Sequence, residues 1–331
     1  MVLNIAVIEK YSRFLNKLKE EIRDIDCRFI HIEDIENFDA EEIKDVNIIF
    51  GSKVNRELLK CMPKLKLIQV FGAGIKRGLL DVVKDFPHII VANTHGNKEA
   101  VAEHAIALLL AVTKNITRYD YLFRKGRWTL PGNEYNTLIY GKIVGILGLG
   151  SVGKEIAKRI KSFGVKIYAI KRTKDDKLKQ ELGLDFLGDS NDIDFVLKSS
   201  DFVFVALPRT KETEGLLSRE KLSLMKPTSI LINISRGDII DEGALYEVLR
   251  DKKIKGAGLD VWYEYPKNPE KDIKYPSKYP FHQLENVVMT PHVAWKTPES
   301  EYFQIQQVVE NIRRVAKGLP LINVVNIELG Y

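Results

Sequence analysis

Cysteine is almost missing from this chain: Cys27 and Cys61 are the only two among 331 residues, and neither belongs to a CxxC or Cys/His cluster. That scarcity argues against a disulfide framework and a zinc site, so no metal is expected, and it suits a reducing cytoplasm. Long apolar runs are missing too. The strongest, residues 105–112, falls well short of the ~20 residues a membrane helix needs and reads as a buried helix. The opening segment Leu3-Asn4-Ile5-Ala6-Val7-Ile8 looks like a strand and lacks the basic, apolar, small-residue layout of a secretory signal. Nor is charge of one sign concentrated anywhere. A formal +6 with a pI near 9.0 is modest for this length. Basic residues mingle with acidic ones, as in Lys17-Leu18-Lys19-Glu20-Glu21, the pattern of solvated helix faces. Neither nucleic acid nor a membrane is therefore expected as a partner, although a positive field favours anionic ligands.

What is present is an α/β rhythm. Apolar content of 45% with 29% charged residues describes a globular chain, long enough for two domains. Short apolar runs near residues 3–8, 27–32, 46–50, 65–71 and 88–92 alternate with helix-period segments. After a long helical stretch at 98–124, a second series follows near 143–147, 165–170, 201–206, 229–233, 256–260 and 286–289. Such alternation builds parallel sheets. A final helix is expected over 298–317, with Thr297 as N-cap, Pro298 in the first turn and Gly318 beyond the end.

Gly148-Leu149-Gly150-Ser151-Val152-Gly153 follows the first strand of the second series and opens a helical stretch, the setting in which GxGxxG signals a dinucleotide site. Gly148 allows the tight turn, Gly150 admits the pyrophosphate to the backbone, and Gly153 lets helix and sheet approach. The helix N–H groups at Ser151 and Val152 would face the phosphates. About 20 residues on, a carboxylate usually meets the adenosine ribose. Here Lys171-Arg172-Thr173-Lys174 stands instead. A guanidinium binds a ribose 2′-phosphate that a carboxylate would repel, so NADP(H) is favoured over NAD(H); a merely solvated basic loop is the alternative.

The fingerprint lies near mid-chain with a complete α/β series ahead of it. The expected architecture is two Rossmann-like, doubly wound parallel-sheet domains, the cofactor domain (99–295) inserted into a flavodoxin-like substrate domain (1–98 and 296–331), with substrate in the cleft. Three later strand ends carry candidate chemistry. Arg236, after Ile230-Leu231-Ile232-Asn233-Ile234-Ser235, suits a fork on a substrate carboxylate. His292, after Thr290-Pro291, can exchange a proton near neutral pH. Asp260 could hold a nicotinamide carboxamide. His95, His104 and His282 show no partner pattern and read as structural or surface residues.

These motifs, together with Val70-Phe71-Gly72-Ala73-Gly74, Val101-Ala102-Glu103-His104, Tyr140-Gly141-Lys142, Ala206-Leu207-Pro208-Arg209-Thr210 and Gly258-Leu259-Asp260-Val261, give the chain a resemblance to the D-isomer-specific 2-hydroxyacid dehydrogenases, over nearly its whole length. The resemblance implies a homodimer and hydride transfer between a nicotinamide and a 2-oxo or 2-hydroxy acid. Arg236 would orient the acid and His292 would give the carbonyl oxygen its proton. The Gly72-Ala73-Gly74 backbone would contact the substrate carboxylate, while Leu207, Pro208, Ile234 and Ser235 would line the cofactor. Glyoxylate or hydroxypyruvate is the favoured substrate, 3-phosphoglycerate the nearest rival, and a dinucleotide-sensing corepressor the rival of another class. One departure stands out. Where the family places a glutamate before a proline to support the histidine, this chain has Tyr265 before Pro266, with Glu264 one residue early. Glu264 is the expected partner if a bend re-aims it, Tyr265 the alternative, and neither a third outcome. Trp295 either narrows the site or anchors the helix that follows.

Overall fold

The computed structural model describes residues 2–129 and 135–331. They form two compact units, Met1–Asn97 with Thr297–Tyr331, and Lys98–Lys296.

In the first unit, strands β1 (Leu3–Ile8), β2 (Cys27–Ile32), β3 (Ile48–Phe50), β4 (Leu67–Gln69) and β5 (Ile90–Ala92) alternate with helices α1 (Leu15–Glu21), α2 (Ala40–Ile43), α3 (Arg56–Lys60) and α4 (Arg77–Val83). All strand pairs are parallel, in the order β2-β1-β3-β4-β5. Ile5, Ala6, Val7, Ile48, Ile49, Leu67 and Ile68 are fully buried. Parallel strands covered on both faces require such unbroken apolar runs.

The second unit opens with α5 (Lys98–Thr113) and α6 (Ile116–Phe123). The apolar pattern predicts one helix over 98–124, but Asn115 adopts a left-handed conformation, φ 50°, and the axis bends by 61°. Asn tolerates that region better than most residues. The second sheet comprises β6 (Ile143–Leu147), β7 (Lys166–Ile170), β8 (Phe186–Gly188), β9 (Phe202–Val205), β10 (Ile230–Asn233), β11 (Gly256–Leu259) and β12 (Val287–Met289). Between them run α7 (Ser151–Ile160), α8 (Asp176–Leu182), α9 (Ile193–Ser199), α10 (Arg219–Ser223) and α11 (Glu242–Arg250). The order is β12-β11-β10-β9-β6-β7-β8. The sequence predicts six strands here; the seventh, β8, spans three residues, too few for a period-2 signal.

Chain order reverses between β6 and β9, which pair from Val144↔Phe202 to Leu147↔Val205. Ligands of open α/β sheets bind beyond the carboxyl ends of strands at such a switch point. The two doubly wound parallel sheets bear out the expected fold class.

The chain then returns to the first unit with α12 (Pro298–Lys317). Thr297 Oγ1 accepts from the Ser300 N–H at 3.1 Å, Pro298 occupies the first turn, and Gly318 ends the helix at φ 66°. Ile305, Val308, Val309 and Ile312 join the core of the first unit. Among the described residues, no single helix is long and apolar enough to cross a membrane.

Candidate active site

The glycine fingerprint is built as a cradle. Gly148 ends β6 at φ 100°, and a Cβ there would stand 2.6 Å from Ala206 O at the end of β9. A Cβ on Gly153 would overlap Gly148 O, so only glycine lets α7 start against its own strand. Gly150 differs: nothing lies within 4 Å of where its Cβ would be. It is the N-cap of α7, which has no side-chain cap bond, so Ser151 and Val152 follow at an uncapped helix start with the partial positive charge of its dipole. Open space beside Gly150 and a positive helix end fit a dinucleotide pyrophosphate.

At the end of β7, Lys171 N–H donates to Gly188 O at 3.0 Å, and its ammonium donates to Thr173 O at 3.3 Å. Arg172 is exposed and lies 3.8 Å from Glu212, an ion pair of little worth in water. Lys174 instead turns to Asp189 and Asp192, at 3.4 and 3.6 Å. Those two carboxylates, Asp189 first, raise its pKa. Across the switch point, Leu207 O accepts from Ser235 Oγ and Pro208 O from Thr213 Oγ1 at 2.7 Å. Ile234 and Ser235 are buried, so β9 and β10 end as one tied edge.

Arg236 follows directly. Asn233 at the end of β10 donates through Nδ2 to Arg236 O at 3.0 Å and accepts the Ser235 N–H at 3.1 Å, which fixes the backbone that presents the guanidinium. Nη1 of Arg236 donates to Ser235 O at 2.6 Å. Burial lowers its pKa, opposed by Tyr265 and Asp238, yet arginine starts so high that it remains charged.

Asp260, at the end of β11, is fully buried. One carboxylate oxygen accepts from Thr290 Oγ1 at 2.6 Å and Val293 N–H at 3.0 Å, the other from Ala294 N–H at 3.0 Å. His104 Nε2 approaches at 3.5 Å and lies 3.0 Å from Thr290 Oγ1. Burial alone would raise the pKa of Asp260; donors from His104, Thr290, Val293 and Ala294 outweigh it and hold the pKa below the ordinary value. A carboxylate offers about four lone-pair sites, and the chain's own donors fill these. Their effect falls on His292, which sits inside the 290–294 turn at φ 58°, a conformation that costs a non-glycine residue about 1–3 kcal/mol. Through these bonds Asp260 clamps the turn that carries His292.

The imidazole of His292 is half-buried. Burial first, then the charge of Arg236, lower its pKa below 6.5, with Asp260 opposing. The ring beside it is Tyr265, with centroids 5.6 Å apart. Tyr265 Oη accepts the Trp262 N–H at 3.1 Å, and burial raises the phenol pKa, so it is neutral near pH 7 and brings no negative charge. Glu264, the expected partner, points elsewhere: its carboxylate pairs with Lys274 at 2.8 Å. The cause lies in the backbone, where Pro276 O takes the N–H groups of both Tyr263 and Glu264, at 3.3 and 3.0 Å, zipping the base of the 263–280 loop. Among the described residues no carboxylate hydrogen-bonds the His292 imidazole.

Sequence reasoning passed over His104 and Thr290. Their separation of 186 residues leaves no local spacing to read. Trp295 packs against the apolar core of the second unit, and His282 stacks on Tyr275 at 4.0 Å. In the first unit, Gly72 stands at φ 104°, and among the described residues the N–H groups of Ala73 and Gly74 have no acceptor.

Comparison with known proteins agrees with this geometry. Residues 106–294 match the family model for the NAD binding domain of D-isomer specific 2-hydroxyacid dehydrogenases. A glyoxylate reductase of Thermococcus litoralis is 36% identical over 297 residues, covering 86% of this chain and 85% of that one. A D-3-phosphoglycerate dehydrogenase of Archaeoglobus fulgidus is 35% identical over 279 residues, covering 83% of this chain and 50% of its own length. Among solved structures, a D-isomer specific 2-hydroxyacid dehydrogenase from Xanthobacter autotrophicus, in complex with NADPH and MES, aligns with a TM-score of 0.80 at 27% identity, covering 99% of each chain. The chain belongs to the D-isomer specific 2-hydroxyacid dehydrogenases, NAD(P)-dependent oxidoreductases of 2-hydroxy acids.

Proposed function

We propose that this protein is an NADP(H)-dependent reductase of a small 2-oxo acid, glyoxylate or hydroxypyruvate. The observation that carries the reading is the pairing of Arg236 with a half-buried His292 whose pKa that guanidinium helps to lower. Gly148, Gly150, Ser151, Val152 and Gly153 hold the cofactor pyrophosphate, Leu207, Pro208, Ile234 and Ser235 its nicotinamide end, and Lys171, Arg172 and Thr173 a ribose 2′-phosphate. A bound reduced nicotinamide supplies hydride to the substrate 2-carbon. Arg236 grips the carboxylate and polarises the adjoining carbonyl, as only a bidentate fork does well. The carboxylate in turn offsets the charge of Arg236, so His292 takes up a proton more readily when substrate is bound. His292 then gives that proton to the carbonyl oxygen. In the first unit, the N–H groups of Ala73 and Gly74 at the Gly72–Gly74 turn, which have no acceptor among the described residues, are the donors assigned to a substrate carboxylate, and on that reading the first unit is the substrate-binding domain.

The names of relatives support glyoxylate: several archaeal chains at 32–36% identity are glyoxylate reductases. A glyoxylate/hydroxypyruvate reductase of Sinorhizobium meliloti, described as NADPH-dependent and solved with NADP and malonate, aligns with a TM-score of 0.77 at 27% identity. Oxidation of NADPH by purified protein with glyoxylate, hydroxypyruvate and longer 2-oxo acids tests this directly; no turnover with any of them sinks it. For the cofactor, Arg172→Ala should weaken NADPH binding about 10- to 100-fold, the worth of one or two charge-assisted hydrogen bonds, and leave NADH binding unchanged. Equal wild-type affinity for both cofactors would remove the 2′-phosphate assignment.

We also place the protein in the cytoplasm as a homodimer. Ile116, Tyr121, Phe123, Trp128, Tyr135, Leu138 and Tyr140 are all exposed large apolar residues within 25 positions, a concentration that marks an association surface. Sedimentation should give twice the chain mass, and Trp128→Glu with Tyr121→Glu should give monomers; a monomeric wild type at micromolar concentration would refute the dimer.

A further inference from the structure

We infer that Asn93 and Gln304 are positioning residues for the Gly72–Gly74 turn, acting through a buried ladder of amides on α12. Gln304, Gln307 and Asn311 lie at i, i+3 and i+7, hence on one face of that helix. Each reaches a strand end of the first unit. Asn311 Nδ2 donates to Gln69 Oε1 at 2.7 Å, and Gln69 Nε2 donates in turn to the carbonyls of Val70, Ala92 and Asn93 at 3.2–3.3 Å, tying β4 to β5. Gln307 Oε1 accepts the His95 N–H at 2.7 Å. Gln304 Nε2 donates to Thr94 Oγ1 at 3.3 Å, and the same hydroxyl oxygen accepts the Gly72 N–H at 2.8 Å. Asn93 completes the brace by donating to Ala73 O at 2.8 Å.

Two facts make this more than packing. Asn93 and Gln304 are almost wholly buried, yet Asn93 Oδ1 and Gln304 Oε1 have no hydrogen-bond partner. Leaving a buried acceptor unmet is unfavourable, so packing alone does not account for an amide at either position. What the amides contribute instead is their N–H ends, aimed at the turn. Gly72, at φ 104°, needs such bracing, because glycine is the residue with most freedom to lose. With Gly72 N–H and Ala73 O held from below, the N–H groups of Ala73 and Gly74 keep a fixed direction toward an anion. The two side chains thus set substrate affinity without touching substrate or cofactor.

The assignment rests on the proposed role of the turn in holding a carboxylate, and its test separates the two. Gln304→Met and Asn93→Ala are compared with wild type in steady-state kinetics with glyoxylate and NADPH, and in amide hydrogen exchange at residues 72–75. Thr94→Val and Thr94→Ser serve as a second pair in case either amide variant fails to fold. Expected are a KM for glyoxylate raised about tenfold, kcat within about threefold, unchanged NADPH affinity, exchange about tenfold faster at Gly72, whose N–H is the one the brace holds, and an undiminished melting temperature for Gln304→Met. Thr94→Val should match these changes and Thr94→Ser should reverse them. A KM that stays at the wild-type value, or exchange that does not quicken, overturns the proposal. If wild-type protein turns over no 2-oxo acid, the functional reading has failed; exchange then decides the bracing alone, faster exchange supporting it and unchanged exchange overturning it.

Discussion

Replacing Tyr265 with glutamate is expected to move the pH at which reductive kcat/KM falls upward by about one to three units, the effect of an opposite charge placed beside a titrating group. The sign follows from the role proposed for His292. Reduction needs the imidazolium as donor, so the rate declines as pH rises through the histidine pKa. In the wild type burial and Arg236 hold that pKa below 6.5, and the neutral phenol of Tyr265 offers no compensation. A carboxylate in its place would favour the charged imidazole and extend reduction to higher pH. Oxidation of the hydroxy acid needs the neutral ring, and its rising limb should move upward with the same pKa. Glu264→Gln is the control, since that carboxylate is committed to Lys274; a shift caused by Glu264→Gln and absent in Tyr265→Glu would reverse the assignment. His292→Asn should lower kcat by about 10²–10⁴, the usual contribution of a positioned acid, with cofactor affinity intact.

Asp260→Ala should be the most damaging single change to stability, and it should lower the rate as well. It strands the Thr290 hydroxyl and two backbone N–H groups, and removal of one partner from a buried charged network typically costs about 3–5 kcal/mol. The urea midpoint should fall while the m-value holds. His292 would lose the clamp that keeps it at φ 58°, so kcat should drop by about 100-fold or more, as general acid catalysis is sensitive to placement. A normal kcat in a folded Asp260→Ala protein would show that the turn holds itself. The pH dependence has a definite sign. Asp260 has a folded pKa below its unfolded value, so it contributes stability above about pH 4 that is lost as pH falls through the folded pKa. Asp260→Asn should lack that part of the acid limb, which acid titration of unfolding would show.

Much of this was legible because the informative stretches are contiguous. The residues of GxGxxG, of the Asn233–Gly237 segment and of Thr290-Pro291-His292 follow one another along the chain, at strand ends where the fold exposes them. The missing parts are those that depend on distant segments or on side-chain direction. β8 is too short to carry a period, and the break at Asn115 interrupts an apolar pattern that runs on unchanged. Nothing near Asp260 in the sequence announces that its donors come from residues 290–294 and its other neighbour from α5. The choice between Glu264 and Tyr265 hung on one carbonyl, that of Pro276, which sets the course of the loop. The amide ladder of α12 was silent for a similar reason: nothing in the helix pattern sets Gln304 and Asn311 apart from solvent-facing polar residues, and only the packed sheet reveals that they face inward.

The return of α12 to the first unit has a bearing on synthesis. Ile305, Val308, Val309 and Ile312 belong to the same core as Ile5, Ile49 and Ile68, yet they are made only after every residue of the second unit. A nascent chain that has emerged as far as Lys296 holds all of the second unit, whereas the first still shows the ribosome's surroundings an uncovered apolar surface. Domains generally fold as units in the order they are completed, so the second unit folds first and the amino-terminal sheet waits for its last helix. Exposure of that apolar surface until the helix arrives, with the aggregation hazard such surfaces bring, is the cost this chain order carries.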